Sequence, residues 1–471
     1  MRTGGHFAEL VRGALRVADL ALIALAGLAA WALHLAGRPD AAPPAYYAAA
    51  TGLALLLSAN VFHLLQVYRI GPQRRQFHRI GQLLLGWTLV LALLIAAAFF
   101  TKTSEAFSRL WVLIWFGGAF GLMAGLRLLL ALVVEPRLPQ DWRQLGVVVV
   151  GCPDRAQGVI ERLRDAGEAL AVRGFFHDAE AFHAGAVAGI PVLGGLDAVE
   201  AYCRGGGVDR IVLALPWSDE ERLRLALRRL YAVPVDVHVA GTGAALAFTH
   251  HGLSHLAGVP MLHALNRPFA GWGRVLKAAE DKALAGAMLV AAAPLMLLIA
   301  ALVRLDSPGP VLFRQVRLGF NRQPFAVFKF RTLYHHLSDA HGETLVGRND
   351  ARVTRVGRWL RRWSLDELPQ LLNVLRGEMS VVGPRPHALK AAAGGHLYTE
   401  LFDEYALRYR VRPGITGWAQ VNGLRGDTST VELLRRRLDH DVFYIENWSI
   451  WLDLKILFLT LVRVPFDRQA V

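Results

Sequence analysis

The chain has 471 residues and only two cysteines, so it is long enough for about three domains of ~150 residues and is not a small module stapled by disulfides. Apolar residues make up 54% and charged residues 19%, against roughly 45–50% and 25% in soluble domains, which excludes a disordered chain and indicates a large lipid-buried fraction. The net charge of +14 divides into +7 over residues 1–143, −1 over 144–303 and +8 over 304–471, which suits an anionic membrane face or a phosphorylated substrate.

Four apolar segments follow one another in the first third of the chain. Each is long enough to cross a ~30 Å hydrocarbon core as a helix, and together they contain one charged residue, Arg127. The segments are 20–37, 46–66, 80–101 and 110–134. We predict a four-helix transmembrane bundle over residues 1–143. Because no acidic residue lies inside a predicted span, we expect Arg127 to snorkel to the membrane surface.

The connecting loops of this bundle differ in charge. Arginines precede the first span and fill the loop between the second and third spans, whereas the other two loops are close to neutral. These arginines are Arg2, Arg12, Arg16, Arg69, Arg74, Arg75 and Arg79. The positive-inside rule therefore predicts that both ends of the bundle lie in the cytoplasm.

The middle of the chain, residues 144–262, alternates short apolar strands with helical stretches. This alternation is typical of a right-handed, doubly wound parallel sheet. The predicted strands are LGVVVVG, RGFFHD, IPVLGG, VDRIVLAL and VDVHVA. The loop after the first strand begins at Gly151 but lacks the second and third glycines of a dinucleotide-binding G-x-G-x-x-G. We predict a Rossmann-like α/β domain with a degenerate nucleotide loop and a structural or regulatory role.

Residues 283–303 are as long and apolar as a membrane span. A fifth crossing would place the basic C-terminal region outside the membrane, against the charge rule. Pro294 lies at the centre of the segment, where a proline removes one helical hydrogen bond and kinks the helix. We predict a re-entrant helix that enters and leaves the same leaflet, with a true span or an interfacial or buried helix as the alternatives.

Residues 305–425 place short polar and basic strings around one adjacent carboxylate pair, Asp366 and Glu367. The strings are DSPGP (306–310), FKFR (328–331), the arginines of 358–362 and GPRP (383–386). Several guanidinium groups can hold a diphosphate, and neighbouring carboxylates can divide the work of nucleophile and metal ligand. The pattern indicates phosphate chemistry.

Structural roles compete with this interpretation at each position. Ser364 and Glu367 have the spacing of a capping box, in which Glu367 would only satisfy a main-chain donor. Asp366 would then only be an acidic side chain stabilised by the positive, N-terminal end of the helix dipole. The arginine run 348–362 is equally compatible with a solvated surface that faces lipid headgroups, and spacing alone leaves these alternatives open.

Residues 274–471 contain these strings and resemble the bacterial polyprenyl-phosphate hexose-1-phosphate transferases. These are the monotopic phosphoglycosyl transferases that begin exopolysaccharide, capsule and O-antigen synthesis. The resemblance is carried by DSPGPVLFRQVRLG, FAVFKFRTL, RVTRVGRWLRRWSLDELPQLLNVLRGEMSVVGPRPH, RPGITGWAQVNGLRG and FYIENWSIWLDLKILFLT. The layout of the whole chain is most similar to the undecaprenyl-phosphate glucose phosphotransferase branch.

The resemblance implies an α/β catalytic domain over residues 263–471 that works on the cytoplasmic face of the bacterial inner membrane. Asp366 would attack the β-phosphorus of a UDP-sugar, release UMP and hold the phosphosugar covalently. Undecaprenyl phosphate would then take the phosphosugar. Glu367 would hold Mg²⁺. We expect UDP-glucose as the donor, with UDP-galactose as the alternative.

The resemblance also implies the substrate-binding residues and the membrane contact. The basic positions expected to contact phosphates are Lys329, Arg331, Arg361 and Arg385. Two further substrate-binding positions are Arg425 and Asp441. Pro294 would belong to the membrane hairpin of the family. The chain departs from the family pattern at residues 389–397 and at His440, where the family usually has tyrosine; these departures concern lipid or sugar selectivity.

Two other classes of function compete with this one. A nucleotide-sugar dehydratase or epimerase would need NAD in the middle domain, and the degenerate glycine loop disfavours it. A nucleic-acid-binding scaffold would use the basic C-terminal region, but no aromatic-interleaved basic groove or helix-turn-helix pattern supports it. The sequence is compatible with a homo-oligomer and does not fix the oligomeric state.

Overall fold

The computed structural model describes residues 4–39, 41–65, 67–68, 76–137, 144–165, 170–178, 185–241, 254–256, 259–269, 271–337, 350–387, 392–393, 395–424 and 430–463. The chain separates into two compact units. One comprises residues 1–147 with the short segments 161–173 and 207–209, and the other comprises 148–160, 174–206 and 210–471. The domain boundaries at residues 143 and 262 remain predictions.

The first unit contains four long helices: α1 (Gly4–His34), α2 (Pro44–Leu64), α3 (Gln76–Phe100) and α4 (Arg109–Leu129). Each overlaps one predicted span. Together with a later helix, Trp272–Asp306, they make five helices in the described part of the chain that are long and apolar enough to cross a membrane. The protein is therefore a membrane protein by the length and composition of its helices.

Aromatic side chains fill the core of this helical unit. Trp111 and Trp115 of α4 are almost completely buried, and their indole N–H groups donate to main-chain carbonyls of α1, at Gly27 (3.3 Å) and Ile23 (2.9 Å). A side chain on Gly27 would have its Cβ 3.1 Å from the Trp115 indole nitrogen. A small residue is thus required where the two helices approach closely, as is common in lipid-embedded bundles.

Arg127 has an acidic partner within the helical unit, contrary to the prediction from the apolar segments. Its guanidinium donates to both carboxylate oxygens of Asp19, at 2.8 and 2.7 Å, and Asp19 is completely buried. The error arose because the apolar count began the first span at residue 20, whereas α1 begins many residues earlier and carries Asp19 inside the bundle. A buried bidentate pair therefore joins the first and fourth helices.

Asp19→Asn is expected to destabilise the bundle strongly, because it leaves the Arg127 guanidinium buried without a counter-charge. Removing one partner of a buried pair costs ~3–5 kcal/mol. We expect a lower melting temperature for the full-length protein in detergent. The double variant Asp19→Leu with Arg127→Leu should recover most of the loss, and a single variant as stable as the parent would contradict a structural role for the pair.

The α/β unit is built on an eight-stranded sheet with the order β3-β4-β2-β1-β5-β6-β8-β7. Its strands are β1 (Leu145–Gly151), β2 (Leu170–His177), β3 (Ala186–Val187), β4 (Ile190–Gly195), β5 (Arg210–Ala214), β6 (Asp236–Ala240), β7 (Ser254–Leu256) and β8 (Val259–Leu265). Between them lie α5 (Pro153–Asp165), α6 (Leu196–Arg204) and α7 (Glu220–Leu230). The five predicted strands are present.

The edges of this sheet differ from the predicted all-parallel arrangement. β2 pairs with β4 and β5 with β6 in parallel, but β3, β7 and β8 pair antiparallel with their neighbours. The sheet is therefore mixed, with a parallel centre and antiparallel edges, as is common in large α/β sheets.

Gly151 has a packing role at the end of β1. Its φ of +147° lies in a region that favours glycine, and a Cβ there would lie 2.4 Å from the carbonyl oxygen of Ala214. Helix α5 begins two residues later, at Pro153. Close approach of two strands, rather than approach to a pyrophosphate, thus accounts for the glycine.

The remaining chain contains a long helix, α8 (Trp272–Asp306), and the antiparallel hairpin of β9 (Leu312–Leu318) and β10 (Pro324–Phe330). The helices that follow are α9 (Arg355–Arg362), α10 (Gln370–Arg376), α11 (Tyr398–Leu401), α12 (Trp418–Val421), α13 (Val431–Glu446) and α14 (Ile450–Arg463). Short strands β11 (Ser380–Val382) and β14 (Gly414–Thr416) pair in parallel, and β12 (Ala392–Ala393) pairs with β13 (His396–Leu397). Helix α8 runs through Pro294 and is longer than the predicted segment 283–303.

Both ends of α8 are fixed to this part of the chain. Near its start, the buried Lys277 ammonium donates to Asp281 (3.0 Å) and to Asp453 of α14 (2.6 Å). Near its end, Ile299 and Val303 are buried in one apolar cluster with Phe330 and Leu360. Between the two ends, several large apolar side chains, among them Val290 and Leu297, are exposed.

Candidate active site

The carboxylate pair lies on a short 3₁₀ turn, Leu365–Glu367, between α9 and α10. Ser364, directly before the turn, has φ +55° and ψ +23°, a left-handed conformation that costs a non-glycine residue energy. Leu365 and Leu368 pack against the buried cluster that contains Phe330 and Leu360. These apolar contacts hold the strained turn that presents Asp366 and Glu367.

The Glu367 carboxylate accepts hydrogen bonds from two cationic side chains that come from different parts of the chain. Lys329 of β10 donates to Oε1 at 2.9 Å, and Arg385, which follows β11, donates to Oε2 at 2.9 Å and also to Oε1. A bidentate guanidinium and an ammonium on one half-buried carboxylate make a strong, oriented cluster. Asp366, beside it, is buried and accepts no hydrogen bond from any residue that the structure describes.

The two neighbouring carboxylates have opposite electrostatic environments. Burial raises the pKa of Asp366 to about 6, with Lys329 opposing the rise and Glu367 adding to it. Burial would also raise the pKa of Glu367, but Arg385 and Lys329 overcome it and hold that pKa well below its usual range. Titratable neighbours whose pKa values are pushed apart are suited to different chemical tasks.

The strand that carries Lys329 is held by Asn373 of α10. The Asn373 carbonyl oxygen accepts from the main-chain N–H of Phe328 (3.0 Å), and its amide donates to the Ala326 carbonyl (2.7 Å). Asn373 is completely buried. One side chain thus satisfies two main-chain groups of β10 and fixes Lys329 relative to the carboxylates.

Asp441 acts behind Arg385 rather than beside the carboxylate pair. It is buried on α13 and accepts from the Nε of Arg408 at 2.8 Å. Arg408 in turn donates to the main-chain carbonyl of Arg385 at 2.6 Å. The predicted substrate-binding Asp441 therefore supports the loop that carries Arg385.

Arg361 is the half-buried arginine in the last turn of α9, and its charge lowers the pKa of Asp366. The exposed arginines of the same helix are Arg355, Arg358 and Arg362. Within the described part of the run, a surface role therefore fits most of the arginines, while Arg361 belongs with the carboxylates.

The structure does not bring Arg331 to the carboxylate pair. Its buried guanidinium donates to the main-chain carbonyls of Ser307 (2.6 Å), Pro308 (2.7 Å) and Val303 (3.3 Å), at the end of α8. Burial lowers its pKa. Gly309 has φ +124°, and a Cβ there would meet this guanidinium. The DSPGP string and Arg331 thus form the exit of α8, in place of the expected phosphate contact.

Other predicted positions are placed as follows. Arg425 lies outside the described residues, as does part of 389–397. Pro294 lies within α8. His440 is partly exposed, and its Nδ1 is 2.8 Å from the Arg436 carbonyl oxygen. The capping-box alternative fails, because Ser364 makes no side-chain cap to the turn and the Glu367 carboxylate is bound to Lys329 and Arg385.

Sequence reasoning missed several residues around this cluster. Arg317, Asn373, Arg408 and Arg437 were not singled out, although all are buried or nearly so. Arg437 stands four residues before Asp441, and that spacing places both on one helix face. This spacing was the available signal for Arg437, while Arg317 and Asn373 lie within the strings that carry the family resemblance.

A membrane-anchored α/β unit with a cation-bound carboxylate pair defines an enzyme that handles phosphorylated substrates. Residues 272–467 match the family described as bacterial sugar transferase, and residues 63–240 match the family described as CoA-binding domain. The chain belongs to the bacterial sugar transferase family, as its similarity to a full-length relative shows.

That relative is the UDP-glucose:undecaprenyl-phosphate glucose-1-phosphate transferase of Xanthomonas campestris pv. campestris, 36% identical over 468 residues, which cover 97% of this chain and 94% of the relative. The undecaprenyl-phosphate glucose phosphotransferase of Komagataeibacter xylinus is 46% identical over 56% of this chain and 50% of its own length. A UDP-glucose:undecaprenyl-phosphate glucose-1-phosphate transferase of Escherichia coli K12 is 40% identical over 59% of each chain.

Because the pKa values of Asp366 and Glu367 are shifted in opposite directions, neutralising each carboxylate should change the melting temperature in opposite directions. The folded protein binds the Asp366 proton more tightly than the unfolded chain does. The contribution of this proton to the free energy of unfolding is therefore fully present below pH ~4, and it is lost, by ~3 kcal/mol, as the pH rises through about 6. Asp366→Asn should therefore raise the melting temperature at pH 7.5 and leave it unchanged near pH 4. Glu367→Gln should lower the melting temperature at pH 7.5. A change of the melting temperature at pH 7.5 in the same direction for both variants would contradict the opposite environments of the two carboxylates.

Proposed function

We propose that the protein transfers glucose-1-phosphate from UDP-glucose to undecaprenyl phosphate and releases UMP. The observation that carries the proposal is the carboxylate pair, with a buried Asp366 of raised pKa beside a Glu367 bound by Lys329 and Arg385. The names of the relatives, one of which matches 97% of the chain, supply the substrates.

In the first step, an Asp366 oxygen attacks the β-phosphorus of the donor. The bond from that phosphorus to the bridging oxygen breaks, its electron pair leaves with UMP, and the sugar phosphate is held on Asp366 as an acyl phosphate. A carboxylate with a raised pKa is a stronger nucleophile than an ordinary one, and this one is not tied up by hydrogen bonds from described residues. The nearby Arg361 and Lys329 offset the charge of the diphosphate.

In the second step, an oxygen of undecaprenyl phosphate attacks the same phosphorus. The bond to Asp366 breaks, and its electron pair returns to the carboxylate. Lys329 and Arg385 remain fixed on Glu367 during both steps, so the cationic environment is preorganised and need not rearrange as charge moves. The product is the polyprenyl diphosphate sugar.

The residues at the site fit a Mg²⁺ ion that arrives with the diphosphate. Magnesium is commonly bound by one or two carboxylates together with substrate phosphates and waters. Glu367 Oε2 accepts one hydrogen bond among the described residues, from Arg385, so it retains a free lone pair. Glu367 would hold the ion, and the ion would neutralise charge on the phosphoryl oxygens.

We place the reaction at the cytoplasmic face of the bacterial inner membrane, with α8 as a re-entrant helix. Both ends of α8 are fixed to the same folded unit, through Lys277 at one end and Val303 at the other. The stretch between them exposes apolar side chains, with Val290 77% and Leu297 73% accessible. A helix bound at both ends to one polar unit is more compatible with dipping into one leaflet than with crossing.

Asp366→Asn is expected to abolish UMP release from UDP-glucose, because the amide cannot form the phosphoenzyme. The measurement is UMP release by detergent-solubilised protein with UDP-glucose, Mg²⁺ and undecaprenyl phosphate. Asp439→Asn, an exposed carboxylate on α13, is the matched control and should retain activity.

Retained turnover in Asp366→Asn would contradict the nucleophile assignment. The same assay with UDP-galactose tests the alternative donor, for which we expect slower release than for UDP-glucose. A preference for UDP-galactose would keep the reaction and change the sugar.

Single cysteines test the topology in a background with Cys152→Ser and Cys203→Ser. Glu105→Cys, in the loop before α4, and Glu446→Cys, at the end of α13, are both at exposed positions. In spheroplasts, a membrane-impermeant maleimide should label Glu105→Cys at once and Glu446→Cys only after permeabilisation. Labelling of both from outside would mean that α8 crosses the membrane.

A further inference from the structure

Four arginines surround the His387 imidazole behind the carboxylate cluster. Arg408 lies 2.8 Å from its Nδ1, and the charges of Arg317, Arg385 and Arg437 also act on it. Burial, together with these cations, holds the His387 pKa well below its usual range, so the ring is neutral. Because the ring is neutral, it does not balance any of the positive charge of the four guanidinium groups.

The tautomer of His387 follows from its neighbours. A guanidinium can only donate, so Nδ1 must accept from Arg408, and the Tyr405 hydroxyl lies 2.6 Å from the same nitrogen. The proton of the neutral ring is therefore on Nε2. That Nε2–H is buried and has no hydrogen-bond partner among the described residues. It is a buried donor that needs an acceptor.

Arg437 is a stronger case of the same kind. It is 3% exposed, and its buried Nε has no hydrogen-bond partner among the residues that the structure describes. Its helix neighbour Asp441 is committed to Arg408. Burial lowers the Arg437 pKa to about 10, which leaves it charged at neutral pH. A buried, charged guanidinium whose Nε–H lacks an acceptor is costly unless a ligand supplies one.

Arg317 adds a second charge without a carboxylate partner of its own. It donates to the Pro386 carbonyl (3.3 Å) and to the Gln315 side chain (2.6 Å), which are both neutral acceptors. Lys329 and the four arginines give five cations, while the carboxylates that act on them are Asp366, Glu367 and Asp441. Within the described residues, at least two positive charges are therefore uncompensated.

We propose that Arg317, Arg437 and the Nε2–H of His387 form a second phosphate subsite beside the cluster of Lys329, Glu367 and Arg385. The need for an anion follows from the buried charges alone. The identity of the phosphate rests on the proposed function: the subsite holds the phosphate of UMP in the first step and the phosphate of undecaprenyl phosphate in the second.

The geometry of displacement explains why one subsite serves both phosphates. In an in-line displacement the leaving oxygen departs on the side of phosphorus opposite Asp366. In the second step the bond to Asp366 must break, so the attacking oxygen enters from that same side. The leaving phosphate and the entering phosphate therefore need the same cations, one after the other.

Arg437→Met tests the subsite, with Arg435→Met as control because Arg435 is a half-exposed arginine on the same helix. Full-length protein in detergent is melted alone and with UMP, uridine or pyrophosphate. We expect Arg437→Met to melt above the parent without ligand, since an uncompensated charge is removed. We expect UMP to bind ~10–100-fold more weakly, as for loss of charge-assisted hydrogen bonds, and uridine to bind unchanged.

The acceptor provides the second measurement. The KM for undecaprenyl phosphate should rise in Arg437→Met by a factor similar to the loss of UMP affinity, and Arg317→Gln should show the same pair of losses. A lower melting temperature of ligand-free Arg437→Met, or failure of this variant to fold, would mean a structural arginine and overturn the proposal. UMP affinity equal to the parent's, or a loss for UMP without one for the acceptor, would also overturn it.

Pyrophosphate separates failure of this inference from failure of the proposed function. Stabilisation of the parent but not of Arg437→Met by pyrophosphate supports the subsite even if UDP-glucose gives no UMP. Conversely, UMP release together with an equal pyrophosphate effect in both proteins would retain the transferase and overturn the subsite.

Discussion

The Glu367 carboxylate is the point on which the site depends, because it joins three segments that are distant in sequence. Lys329 comes from a hairpin strand, Arg385 from the loop after β11, and Glu367 from the turn between α9 and α10. Burial alone disfavours the charge of Glu367, and Arg385 and Lys329 together overcome this effect and lower its pKa. The ion cluster therefore fixes the relative positions of the groups that surround Asp366.

The sequence predicted the long helices and the central strands because their signals are local. Apolar length identifies α1 to α4, and strand–helix alternation identifies the parallel strands. The Asp19–Arg127 pair was missed because an apolar count stops at a charge, although a charge inside a helix is tolerated when its partner is on another helix. The antiparallel edge strands are short and carry no alternation with helices, so the same rule does not find them.

The site was predicted in part. The family strings bring Asp366, Glu367, Lys329 and Arg385 to attention, and the structure places these four together. Arg331 stands two residues after Lys329, but β10 ends at Phe330 and the Arg331 side chain turns to the end of α8. The buried arginines depend on tertiary burial, which single-sequence patterns do not report. Their roles in catalysis remain predictions.

The Asp19–Arg127 pair also bears on how the helical unit is made. The two residues are 108 positions apart, so at a synthesis rate of ~5–20 residues per second Asp19 waits on the order of 5–20 s for its partner. During that time the first helix carries a carboxylate that cannot be buried cheaply. The ion pair between the first and fourth helices therefore forms only after the fourth helix has been made, which places it late in the order of synthesis.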